Sequence, residues 1–76
     1  MNKPFVVSEH LGNDERKSVV MKDTLGYYVL FEQSEKCMGV CPTPSLRFAE
    51  DVAEDYVLTG EKYVIREDDF FKPDIQ

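Results

Sequence analysis

Strand-like segments crowd the first half of this sequence and one amphipathic helix follows them. That order predicts an α+β fold, a small antiparallel sheet of four to five strands with a single helix packed on one face (β-β-β-(β)-α-β). Three observations carry the prediction. β-Branched and aromatic residues gather in short runs separated by turn formers. Apolar residues recur at helical spacing between Phe48 and Val57. The length of 76 residues allows one small core, with residues 1–66 forming the domain and residues 67–76 an acidic, aromatic tail.

Phe5-Val6-Val7-Ser8-Glu9-His10 opens after Pro4 as the first strand, and the turn formers Gly12-Asn13-Asp14 lead to a second around Lys17–Lys22. Asp23-Thr24-Leu25-Gly26 has Asp and Gly at the ends of a type I turn. Tyr27-Tyr28-Val29-Leu30-Phe31 is apolar on both faces, as a central strand covered on one side requires. After the polar Gln33-Ser34-Glu35-Lys36, the segment Cys37–Cys41 returns as a fourth strand, which Pro42 and Pro44 end because neither donates to a ladder.

Thr43 or Ser45 caps the helix that follows, with Pro44 in its first turn, where a missing N–H is tolerated. At about 100° per residue, Phe48, Ala49, Val52, Ala53, Tyr56 and Val57 fall on one half of the wheel. Glu50, Asp51, Glu54 and Asp55 fill the other. Gly60 is placed for a left-handed C-terminal cap, and Lys62–Arg66 has the composition of a fifth strand. The stripe predicts that Phe48, Val52, Ala53 and Tyr56 pack on the sheet face carrying Val29 and Phe31 or on its alternate.

Nine Lys and Arg stand against fifteen Asp and Glu, a net charge of −6, which argues against a phosphate-backbone binder. No apolar run approaches the roughly 20 residues of a membrane span. Two cysteines are too few for the disulfide framework of a secreted mini-domain, and Cys37 and Cys41 on one strand would stand about 13 Å apart, beyond a bridge. A reduced, cytoplasmic protein is expected.

The same two cysteines with His10 are candidate metal or redox ligands, but a structural zinc site draws on four ligands, usually in paired short spacings, and here no second pair exists. The simpler reading is two small buried hydrophobes, so no metal and no cofactor is expected. His10, the only histidine, has Ser8 two residues away on the same strand face but no recognisable nucleophile elbow. No catalytic residue is assigned, and the chain reads as a non-enzyme.

A solvated face is the plain reading of the helix carboxylates, and recognition is the alternative that their clustering suggests. Residues 1–38 carry 5 positive and 6 negative groups, net −1, and residues 39–76 carry 4 and 9, net −5. The excess charge therefore sits on the helix and the tail. Four carboxylates on one helix face repel one another by a few tenths of a kcal/mol per pair. Such a concentrated field steers toward a basic partner. In the tail, Asp68 and Asp69 precede Phe70 and Phe71, which either pack back on the sheet or anchor in a partner's pocket. The expected interface is thus Glu50, Asp51, Glu54, Asp55, Asp68, Asp69, Phe70 and Phe71.

In size and charge alone, the chain is similar to the small proteins that phages make to disable host machinery. That likeness rests on no motif and transfers no residue role. What it implies is a binding module that inhibits or regulates a larger nucleic-acid-handling protein with a basic surface, such as RNA polymerase or a defence nuclease. The alternatives are a metal or redox protein using Cys37, Cys41 and His10, and a self-associating structural subunit that pairs through a strand edge.

Overall fold

The computed structural model describes residues 3–63. Four strands, β1 (Phe5–Leu11), β2 (Arg16–Asp23), β3 (Gly26–Gln33) and β4 (Lys36–Thr43), form an antiparallel meander in the order β1-β2-β3-β4. One helix, α1 (Leu46–Thr59), follows and packs on one face, lying mainly over β2 and β3. The architecture is α+β, as the ordering of the segments predicts. Among the described residues the sheet has four strands. Lys62 and Tyr63 are not strand, and the rest of the segment read as a fifth lies outside the described residues.

Period-two alternation decides which side chains enter the core. Ser18 and Val20 of β2, Val29 and Phe31 of β3, and Cys41 and Thr43 of β4 are all buried on the helix side. Against them α1 sets Ala49, Val52, Ala53, Tyr56 and Val57, the stripe expected from the wheel, with Phe48 half-buried beside it. Small residues mark the closest approach. Ser18, Ala49 and Ala53 are fully buried, and Ser18 Oγ donates to the Ala53 carbonyl at 2.8 Å. Tyr56 stacks obliquely on Phe31, with ring centroids 4.7 Å apart. Burial holds its phenol above the ordinary value, partly offset by the Arg16 guanidinium, so the hydroxyl keeps its proton and donates to the Glu32 carbonyl.

Both helix ends are tied down. Ser45, not Thr43, is the N-cap, and its Oγ accepts from Phe48 N–H at 3.2 Å. Pro44 therefore precedes the cap instead of occupying the first turn. Gly60 closes the helix in the left-handed conformation, φ 84°. No basic residue lies in the last turn, but Arg16 of β2 supplies the missing cation, donating to the carbonyls of Val57 and Leu58. The β1–β2 loop lies directly against this end. A Cβ on Gly12 would stand 2.1 Å from the Val57 carbonyl oxygen, so only glycine permits the approach.

One local expectation fails, and one turn carries no sequence signal of its own. Pro42 does not end β4, which continues to Thr43; the proline is paired in register with Tyr28. As an edge strand, β4 needs no donor on its outer side there. The Ser34-Glu35 hairpin loop holds both residues at positive φ, 51° and 68°, as in a type I′ turn, without the Asn or Gly that usually announces one. Hydrogen bonds around it offset the strain, since Ser34 N–H donates to the Glu15 carbonyl and Gln33 Nε2 to that of Asp14.

Val52 is 6% exposed at the centre of the helix–sheet contact. Val52→Asp places an unpaired charge there and removes core volume, a cost of about 4 kcal/mol or more. In a domain this small, that is expected to abolish cooperative thermal unfolding monitored by circular dichroism. A Val52→Asp protein with a sharp transition near the wild-type midpoint would contradict this packing.

Candidate functional site

Ser8 and His10 occupy alternate positions of β1, opposite Val20 and Ser18, and so face the helix. Both reach Glu50. Ser8 Oγ donates to Glu50 Oε2 at 2.8 Å, and His10 Nε2 lies 2.6 Å from Oε1. A carboxylate only accepts, so Nε2 is the donor. The side chains of His10 and Glu50 remain 25% and 34% exposed, at the rim of the core rather than within it.

Serine, histidine and a carboxylate in contact invite comparison with a hydrolytic triad. In a triad the acid holds one ring nitrogen and the hydroxyl meets the other. Here Ser8 Oγ and Glu50 both approach Nε2, with the Ser8 contact at 3.4 Å, and the serine proton goes to the carboxylate. The cluster clamps the edge strand to the helix and leaves Ser8 unactivated.

Glu50 therefore does not belong to a water-facing acidic surface. The wheel places it at the edge of the apolar arc, about 20° from Val57, and that edge turns toward β1. Asp51, Glu54 and Asp55 are exposed as expected. No ion pair among the described residues involves them. Of the nearby cations, Arg16 is engaged on Asp14 and the helix C-terminus and Lys62 Nζ on the Met38 carbonyl. Arg47, four positions before Asp51 on α1, is exposed and in no ion pair among the described residues.

A groove the sequence reading missed borders this acidic surface. Past Gly60 the chain turns back beside the helix, and the Tyr63 ring meets Phe48 edge-on at 5.3 Å. Phe48, Val52 and Tyr63 with Asp51 and Asp55 line an open depression of about 370 Å³. Apolar and aromatic walls rimmed by two carboxylates suit the stem and head of a lysine or arginine side chain. Phe48 alone in the stripe signals nothing of the kind, because the groove needs Tyr63 returned to it.

The cysteines separate. Cys41 is buried in the core opposite Val29, and Cys37 is exposed opposite Glu32 on the other face, so they are not the two buried hydrophobes expected. His10 lies on β1, at the far edge of the sheet. No group of three or more potential metal ligands exists among the described residues. Asp68, Asp69, Phe70 and Phe71 lie outside the described residues.

No helix among the described residues is long and apolar enough to cross a membrane. Comparison with family models, curated proteins and solved structures finds no match to this chain.

If the clamp holds β1, His10 and Glu50 are energetically coupled. A double-mutant cycle of His10→Ala and Glu50→Ala, read by urea unfolding, is expected to give a coupling of about 1 kcal/mol for a half-exposed charge-assisted contact. Coupling indistinguishable from zero would show that the contact contributes nothing.

Proposed function

We propose that this protein is a binding module that inhibits or regulates a larger, nucleic-acid-handling protein by occupying its basic surface. One observation carries the reading: Asp51, Glu54 and Asp55 stand exposed and unpaired among the described residues beside the Phe48–Tyr63 groove. Local cations would ordinarily relieve such repulsion; here Arg16 and Lys62 serve the fold, and α1 itself carries a single cation, Arg47, against its run of acids. The partner's Lys and Arg residues, which otherwise hold DNA or RNA, complement this surface. RNA polymerase and defence nucleases are the partner classes whose chemistry fits, and the cytoplasm is the compartment.

In this reading the protein acts by occupation rather than turnover. The carboxylates steer the encounter, and a basic side chain of the partner enters the groove. Phe70 and Phe71 serve as apolar anchors, with Asp68 and Asp69 against the partner's basic rim. The Ser8–His10–Glu50 clamp supports the non-enzymatic reading, since its hydroxyl proton is committed to the carboxylate.

Affinity capture with the full chain identifies the partner, and the triple variant Asp51→Lys, Glu54→Lys, Asp55→Lys tests the surface. Its melting midpoint is expected to stay near wild type because all three side chains face water. Its association rate should fall about tenfold or more at low salt and lose most of its salt dependence. Wild-type association kinetics in the folded triple variant across a range of salt would place the interface elsewhere.

A further inference from the structure

The helix covers one face of the sheet, and the other carries an apolar surface of its own. By alternation, Val6 of β1, Val19 and Met21 of β2, Tyr28 and Leu30 of β3, and Val40 and Pro42 of β4 point away from α1. Exposure is greatest on the outer strands, where Val6 and Val40 are 50% and 56% exposed; Met21, Tyr28 and Leu30 are partly buried and the central Val19 is 6% exposed. We propose that this face pairs with the same face of a second copy of the chain, sheet against sheet.

Charge favours that occupant. The chain carries −6, and of that this face holds Glu9, Lys17, Asp23 and Glu32, with Lys17 paired to Glu9 at 3.3 Å and the Asp23 carboxylate accepting from the Leu25 and Gly26 N–H groups. Two copies approaching by their helices bring acidic surfaces together, whereas approach by the open sheets points those surfaces outward. Area is sufficient as well. Four strands about 4.8 Å apart, with eight residues at about 3.3 Å each, present roughly 500 Å². Two such faces bury roughly 1,000 Å², the lower bound of a specific interface.

Pairing through strand edges, in contrast, is obstructed at both ends of the sheet. β1 carries a bulge between Val6 and Ser8. β4 carries one between Phe31 and Glu32 of its partner register, includes Pro42, and has the Met38 carbonyl taken by Lys62 Nζ. Bulges, proline and lysine are the devices that blunt an edge. The face is what remains. The segment after Tyr63 is a less suitable cover. Tyr63, the last described residue, sits on the helix side against Phe48.

Sedimentation equilibrium of the full chain from about 1 to 300 μM tests the proposal, with an expected rise toward twice the 8.8 kDa chain mass. Val40→Lys, and separately Val6→Lys at the outer strand, should each raise the dissociation constant at least about tenfold. Both should leave the far-ultraviolet circular dichroism of dilute protein unchanged, because both positions are half-exposed. A wild-type chain that stays monomeric throughout would overturn the proposal, as would a dimer that neither substitution weakens. A monomer in which Phe70→Ser with Phe71→Ser newly exposes a dye-binding apolar surface would also overturn it, by assigning the face to the tail.

Discussion

The close seating of α1 on β2 and β3 is the contact on which the rest of this structure depends. A four-stranded sheet has two faces, and a single helix can bury only one of them. The helix approaches closely because Ala49 and Ala53 present methyl groups, and the Ser18 hydroxyl bonds directly to a helix carbonyl. With both termini tied down, at Ser45 and at Gly60 under Arg16, the helix has little freedom to roll. Its rotation therefore decides which carboxylates meet protein and which meet water. Glu50 is turned to β1, and Asp51, Glu54 and Asp55 are turned out.

That division separates two uses of charge. Glu50 acts within the molecule, where its two oxygens hold Ser8 and His10 and keep the outermost strand on the core. Arg16 likewise serves the fold, neutralising the carbonyl end of a helix that has no basic residue of its own there. The three remaining acids have no such internal task among the described residues. They repel one another by a few tenths of a kcal/mol per pair. A domain of this size has little stability in reserve. The proposed function assigns that surface to a basic partner.

Much of the fold was legible in the sequence because period and punctuation agree. β-Branched and aromatic runs between turn formers mark β2 and β3, the Phe48–Val57 stripe marks the buried side of α1, and Gly60 marks its end. Pro42 misled because a proline ends a central strand but is tolerated at an edge, and strand order is not written in the strand itself. The Ser34-Glu35 turn carries no glycine or asparagine, since contacts from Glu15 and Asp14, distant in sequence, hold it. The site was harder to read for the same reason. Ser8 and His10 share parity, which the sequence shows, but their partner is forty positions away and depends on which strand the helix leaves partly uncovered. The Phe48–Tyr63 groove likewise exists only once the chain reverses at Gly60.

The central claim is that the exposed carboxylates of α1 form the contact surface for a basic partner. Carbodiimide labelling of carboxyl groups, read by mass spectrometry in the free chain and in the captured complex, addresses those atoms themselves. The account predicts that labelling of Asp51, Glu54 and Asp55 falls severalfold on binding, while that of Glu9 and Glu35, away from the helix, is unchanged. Equal labelling of the three helix carboxylates in the free and bound chain would contradict it.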